Sequence, residues 1–325
     1  MMKFSTALVR SLTAGVLMVL AAPVGAQQAY PNKPIRLIVP FPPGGANNLL
    51  ARLVGQKLGE SWGQQVLVEN RPGADGIIGA EALLKSPPDG YALMLVNSTH
   101  VTIPLLHRRV PFDAIRDFAP VATVSSSELI LVLHPSVPAN NLQEFIALAK
   151  SKPGQLNFAS SGSATHLAGE SFNIVAGVKM QHIPYKGGAP AITDLIGGQV
   201  QLAFAPPINV VPHIKSGRLR AIAITGGARF PALAQVPTLV EAGLPGFDVK
   251  AWYGVLAPVG TAKEIIDRLS AEIGKIMAMS DIKEKLDGQG MAPFISTPEQ
   301  FAELMKADTA KYAKIIKTAN IKIED

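Results

Sequence analysis

The stretch Ile35-Arg36-Leu37-Ile38-Val39-Pro40-Phe41-Pro42-Pro43-Gly44-Gly45-Ala46-Asn47-Asn48 decides how the rest of the chain is read. Its apolar start reads as a buried strand. Pro42-Pro43 makes the turn rigid, because proline fixes φ and removes a donor. Gly44 and Gly45 let another molecule approach the backbone. Asn47 or Asn48 is the expected N-cap of a helix whose apolar stripe is Leu49, Leu50, Leu53, Val54 and Leu58. Such a turn aims backbone N–H groups and the positive end of a helix dipole at one point, a place to hold an anion. It holds no obvious nucleophile, base or metal ligand, and lacks the glycine spacing and trailing Lys-Ser/Thr of a phosphate loop.

The same rhythm runs along the chain. Short apolar runs at 35–39, 66–69, 92–96, 129–134, 157–159, 181–185, 200–205, 221–225 and 252–257 read as strands covered on both faces. Between and after them, helix-period stripes such as Ile265, Ile266, Leu269, Ile273 and Ile276 read as helices. The alternation means an α/β architecture with mostly parallel sheets. Without a flexible linker, two domains must be joined by short extended segments. Residues 121–127 are the expected crossing, and residues 225–228, loosened by Gly226 and Gly227, the expected return. The first domain is then 27–123 plus 228–325, with 124–227 inserted. Ligands of open α/β sheets sit beyond the carboxyl ends of strands, so the cleft between the domains is the expected site.

Several turns repeat the physics of the first. Ser160-Ser161-Gly162-Ser163-Ala164-Thr165 follows one strand and opens a helix, with Ser163 or Thr165 as its cap and His166 one turn on. Asn97-Ser98-Thr99-His100 ends another strand. Tyr185-Lys186-Gly187-Gly188-Ala189-Pro190 carries the one cation of these turns, and Ala205-Pro206-Pro207-Ile208-Asn209 supplies a wall and an amide. Gly73, Gly76 and Gly79 are spaced for a tight turn with close helix packing, not for a dinucleotide loop.

Residues 1–26 have the layout of an export signal: Lys3 and Arg10, a short apolar run from Leu12 to Ala22, then Val24-Gly25-Ala26. Cleavage is expected after Ala26, with an uncleaved anchor as the rival reading. The full chain carries 30 basic and 24 acidic residues, net +6, and loss of Lys3 and Arg10 leaves +4. That excess is scattered, which argues against a nucleic-acid stripe. Cysteine is absent, which removes thiol catalysis, disulfides and thiolate metal sites together. The 6 histidines show no metal-ligand spacing, and no GxSxG elbow is present. No catalytic residue, cofactor or metal is expected. The enzyme alternative is a hydrolase using Ser161 or His166.

The ordered segments YPNKPIRLIVPFPPGGANN, VENRPGADGIIGAEAL, PPDGYALML, FASSGSATHLAGE, IPYKGGAPAITDLIGGQV, IKSGRLRAIAIT, VPTLVEAGLPGF and AWYGVLAP run through nearly all the mature chain. With them the sequence resembles the Bug-type periplasmic solute receptors of tripartite tricarboxylate transporters. The resemblance implies a type II periplasmic-binding-protein fold, two α/β domains closing on a small carboxylate. It implies a periplasmic monomer whose partners are membrane transporter subunits or a sensor protein. The ligand-binding residues expected from these turns and the resemblance together are Pro43, Gly44, Gly45, Asn47, Asn48, Ser98 and Thr99 on the first jaw. On the second they are Ser160, Ser161, Gly162, Ser163, Thr165, His166, Lys186, Gly187, Gly188, Ala189 and Asn209. This chain has Asn48 where the family commonly has Asp, and its loop at Ser160 is shorter than in many relatives.

Overall fold

Strand β1 (Ile35–Val39) is covered on both faces, as its apolar run requires; Ile35, Leu37, Ile38 and Val39 are all buried. In this computed structural model the described residues are 30–321 without Ala228 and Asp248. The expected signal segment, residues 1–26, lies outside them. From β1 the chain builds α1 (Ala46–Trp62), β2 (Val66–Asn70), α2 (Ile77–Leu84), β3 (Ala92–Asn97), α3 (Thr99–Leu106) and β4 (Phe118–Ser127). It continues through β5 (Ile130–Leu133), α4 (Leu142–Ser151), β6 (Asn157–Ser160), α5 (Ser163–Ala176), β7 (Gln181–Pro184), α6 (Gly188–Ile196), β8 (Leu202–Ala205), α7 (Pro207–Lys215) and β9 (Arg220–Ile224). The last part holds β10 (Ala251–Pro258), α8 (Lys263–Ala278), α9 (Ser280–Asp287), β11 (Ala292–Pro293) and α10 (Pro298–Ala319).

The strands form two sheets, one ordered β11-β4-β10-β3-β1-β2 and the other β7-β6-β8-β5-β9. Neither is mostly parallel. β1 lies parallel to β2 and β3, but β10 runs antiparallel to β3 and β4. In the second sheet β6 lies parallel to β7 and β8, whereas β5 is antiparallel to β8 and β9. The reason is topological. A chain that leaves one sheet for the other and later comes back passes the junction in opposite directions, so the outgoing and returning strands pair antiparallel.

The crossing differs from expectation in two ways. Residues 121–127 are not a bare connection but the buried end of β4, paired along β10. Their hydroxyls resemble loop polarity in the sequence, yet Ser125 Oγ donates to the Ala292 carbonyl (2.9 Å) and Ser127 Oγ to that of Gly290 (3.2 Å). The return also comes later than residues 225–228. Thr238 bridges to Ile224, the Leu239 N–H donates to the Ile224 carbonyl (2.8 Å), and Leu233 and Val236 join Ile130 and Val132 in one core. The chain therefore re-enters the first sheet at Lys250 and Ala251, where Ala251 pairs with Ser127. Glu128 and Lys250 stand side by side at this double crossing, Nζ to Oε1 3.9 Å. Leu129 and Thr225 are tied there as well, the Leu129 N–H to Thr225 Oγ1 and the Thr225 N–H to the Leu129 carbonyl, each 2.9 Å.

The glycines spaced by three pack as their spacing suggests. Gly73 and Gly76 have φ of +135° and +111°, and a Cβ on Gly79 would lie 2.6 Å from Pro40 Cβ, pressing on the end of β1. On the same face, Trp252 of β10 meets Phe301 of α10 edge to face, centroids 5.2 Å apart, and a Cβ on Gly254 would collide with that phenyl ring.

Two stability predictions follow from buried polar groups. Trp252 Nε1 donates to Asp308 Oδ2 (2.7 Å) inside the core, and Lys311 Nζ lies 2.8 Å from Asp308 Oδ1. Asp308→Ala strands the indole N–H and should lower the unfolding free energy by about 1–3 kcal/mol in urea titrations. His100, parallel to Phe112 and edge to face with Phe118, has Nε2 3.0 Å from the Ala114 carbonyl, and burial pushes its pKa down from 6.5 to about 4. The unfolded chain then takes up the proton first as pH falls. Stability should be intact above about pH 6.5 and drain towards pH 4. The slope of thermal midpoint against pH should be shallower over that window in His100→Gln.

Candidate functional site

The turn after β1 leaves its helix uncapped. Gly44 has φ +96°, a conformation that favours glycine, and Gly45 is the N-cap of α1 in extended conformation with no side chain to offer. Asn47 and Asn48 are therefore not caps but first-turn residues. The first helical acceptor, the Gly45 carbonyl, serves Leu49 (3.1 Å), so the N–H groups of Ala46, Asn47 and Asn48 are left without one. A Cβ built on Gly44 or Gly45 meets nothing within 4 Å, so the space before the turn is open.

The side chains around it divide into two kinds. Asn48 is spent on holding the turn: its Nδ2 donates to Asn70 Oδ1 (3.0 Å), its Oδ1 accepts from Arg52 Nε (3.2 Å), and Asn70 Nδ2 donates to the Phe41 carbonyl (2.9 Å). Asn47 Oδ1, by contrast, is buried with no partner among the described residues. β3 lies next to β1 and parallel to it, so the 97–100 turn opens at the same sheet edge. There Asn97 Oδ1 accepts from the Thr99 N–H (3.0 Å), whereas Ser98 Oγ is fully buried and unpartnered among the described residues. His100 points away, towards Ala114.

The second jaw repeats this plan. The N-cap of α5 is Gly162, with φ +153° and no capping side chain, so neither Ser163 nor Thr165 caps. Thr165 Oγ1 instead accepts from the Ser161 N–H and donates to the Gly162 carbonyl, both at 2.9 Å, which ties the loop. Ser163 Oγ is buried without a partner among the described residues. β7 and β8 flank β6 in parallel, so their turns open at the same edge. Gly187, φ +115°, is the bare N-cap of α6. A Cβ on the next residue, Gly188, would lie 2.7 Å from Asn209 Nδ2, so the starts of α6 and α7 meet. Lys186 and Ala189 are exposed on that turn. The jaws approach each other at Thr99 and Gly162, where a Cβ on the glycine would stand 3.9 Å from the threonine hydroxyl.

Two helices of the chain, α4 and α10, are capped by side chains. Asn141 Oδ1 accepts from the Glu144 N–H at the start of α4 (2.9 Å), and Thr297 with Gln300 forms a capping box on α10. At α1, α5 and α6 the cap is glycine, and each helix presents bare donors and roughly half a positive elementary charge. With the hydroxyls of Ser98 and Ser163, that is the equipment for holding an anion by dipoles and N–H groups.

Three neighbours of the site were not found in the sequence. Asn70 closes the strand paired to β1, and its place at that sheet edge was the available signal. Tyr253 pairs with Asn97, and burial pushes its phenol far above the ordinary range, so it stays protonated. His182 lies 2.6 Å from Ser160 Oγ and stacks on His166, a contact that nothing in the sequence spacing announces.

The chain is similar to known proteins over almost its full length. Residues 50–321 match the family described as tripartite tricarboxylate transporter family receptor. Protein BugT of Bordetella pertussis is 38% identical over 316 residues, covering 96% of this chain and 95% of that one. Among solved structures, R. palustris Rpa4515 with adipate superposes with a TM-score of 0.84 at 33% identity, over 90% of this chain and 99% of the other. The periplasmic binding protein BugD gives 0.81 at 31%, over 90% and 99%.

The anchoring of the first turn can be tested apart from any ligand. Asn70→Ala leaves the Phe41 carbonyl and the Asn48 amide without their partner. It should cost about 1–2 kcal/mol of stability and raise amide exchange at residues 44–48, read by hydrogen–deuterium exchange.

Proposed function

Because the chain belongs to the tripartite tricarboxylate transporter receptor family, with its periplasmic-binding-protein fold, we propose that it is a non-enzymatic receptor for a small carboxylate. In this reading the protein is exported to the periplasm. One carboxylate docks on the bare first turn of α1, beside Asn47, Ser98 and Thr99. Movement about the double crossing at Glu128 and Lys250 brings residues 160–163 and 187–189 onto the rest of the ligand. Closure excludes water and strengthens each contact between charge and dipole. The loaded form is then handed to membrane transporter subunits.

The observation that carries the reading is the set of buried acceptors and hydroxyls on facing turns that have no partner among the described residues, Asn47 Oδ1, Ser98 Oγ and Ser163 Oγ, next to three glycine-capped helix starts. Buried polar atoms normally find partners, and these three gather where the strands end. The hydrolase alternative has less behind it. His166 faces Glu170 (3.7 Å) and His182, and among the described residues no hydrogen bond joins it to Ser161.

Gly45→Val separates binding from folding. Gly45 has φ −94° and ψ 178°, ordinary for valine, and its Cβ direction is open, so the variant should melt like the wild type. Its side chain would fill the place of the carboxylate. Thermal-shift and calorimetric screens of mono-, di- and tricarboxylates, adipate included, should find acids that stabilise the wild type and fail on Gly45→Val by more than tenfold in affinity. Full affinity in that variant, or turnover of a bound acid, would overturn the reading.

A further inference from the structure

Behind the loop of the second jaw stands a group of side chains that carboxylate docking does not use. His166 of α5 and His182 of β7 lie face to face, ring centroids 3.5 Å apart and planes 9° from parallel. Phe158 of β6 packs against both, at 6.3 and 5.2 Å. Gly169 makes room for that phenyl ring, since a Cβ there would collide with it. From α5 the charged and titratable groups facing His182 are His166 and Glu170; β6 contributes only Ser160 and Phe158. Glu170 sits on the His166 side, 3.7 Å from its Nε2.

His182 is tied to the start of the loop by its Nε2, 2.6 Å from Ser160 Oγ. An N–H donating to oxygen normally spans about 2.7–3.2 Å, whereas a hydroxyl donor comes closer. Either neutral tautomer of His182 can make this bond, and the short distance favours the one in which Ser160 donates and Nε2 accepts. His182 must be neutral for this, and burial first, then the neighbouring His166, push its pKa down to about 4, against a smaller opposing pull from Glu170. A ring stacked this closely is near enough for charge on His166 to disfavour charge on His182.

A serine that has given its proton away behind the loop has only lone pairs left for the ligand. We propose that His182 is a positioning residue that makes Ser160 a hydrogen-bond acceptor, so that this point of the second jaw reads a hydroxyl on the ligand rather than a second carboxylate. The inference rests on the receptor reading for the location of the ligand, and it narrows the substrate class to hydroxy-carboxylates whose hydroxyl lies away from the docked carboxylate. At Ser160 Oγ a second carboxylate would meet oxygen lone pairs, so it would gain nothing from that group and rest on the helix N–H donors alone.

The direction of the bond can be read without any ligand. In ¹⁵N-labelled protein at pH 7.5, the imidazole spectrum should show His182 as the Nδ1–H tautomer with an unprotonated Nε2. Ser160→Ala should remove the hydrogen-bond shift of that nitrogen. A protonated Nε2 would overturn the inference whatever the protein binds. The specificity consequence is measured with a matched pair, 6-hydroxyhexanoate and adipate. Wild type should favour the hydroxy acid, and His182→Phe, which keeps a ring in the stack and frees the serine proton, should move the affinity ratio about tenfold towards adipate. An unchanged ratio in His182→Phe, or a wild-type preference for adipate, would contradict it. Failure of every carboxylate to bind would instead count against the receptor reading and leave the spectrum to judge the bond.

Discussion

Three helices of this protein begin at the ends of parallel strands with glycine where a side-chain cap would normally stand, and the rest of the site depends on that. A capped helix satisfies its own first-turn donors, as α4 does through Asn141 and α10 through Thr297. An uncapped one needs water or a ligand to do so. At α1, α5 and α6 the glycine also removes the Cβ that would block access, and at Gly44, Gly162 and Gly187 it supplies the positive φ that turns the chain. The topology then sets these starts together: β1 beside β3 in one sheet, and β6 between β7 and β8 in the other. In the proposed receptor, anion affinity would come from fixed dipoles, with Lys186 the one cation among these turns, which suits a protein that must release its ligand again.

The double crossing makes the two-jawed arrangement possible. β4 leaves the first sheet and β10 returns to it as adjacent antiparallel strands, so the connection is a pair of chains rather than a single tether. Glu128 beside Lys250, with the mutual bonds of Leu129 and Thr225, defines where that pair leaves the first sheet and enters the second. A two-stranded connection restricts relative movement of the sheets to a few backbone dihedrals. That restriction is what the proposed closure requires.

Much of this was legible in the sequence because the signals are local. The apolar run at 35–39, the Pro-Pro and Gly-Gly of the turn and the apolar stripe after it fix a strand, a turn and a helix within two dozen or so residues. The turns at 160–165 and 185–190 repeat the pattern. What was not legible depends on partners far along the chain. Ser125 and Ser127 look like loop residues until the carbonyls of Ala292 and Gly290 are seen to accept from them. Asn48 and Thr165 look like ligand groups or caps, yet one is held by Asn70 and Arg52 and the other by its own loop. The glycine caps, seen first as mere permission for a ligand to approach, prove to be the helix starts themselves.

The central claim is that bare first-turn N–H groups on both jaws hold the ligand carboxylate or its far end. Backbone amide shifts of ¹⁵N-labelled protein, followed while titrating the tightest acid of a carboxylate screen, test it most directly. The account predicts that the largest changes fall on Ala46, Asn47 and Asn48 of the first jaw and on Ser163, Ala164 and Gly188 of the second, together. Saturation with those amides unmoved, or with changes confined to one jaw, would contradict it.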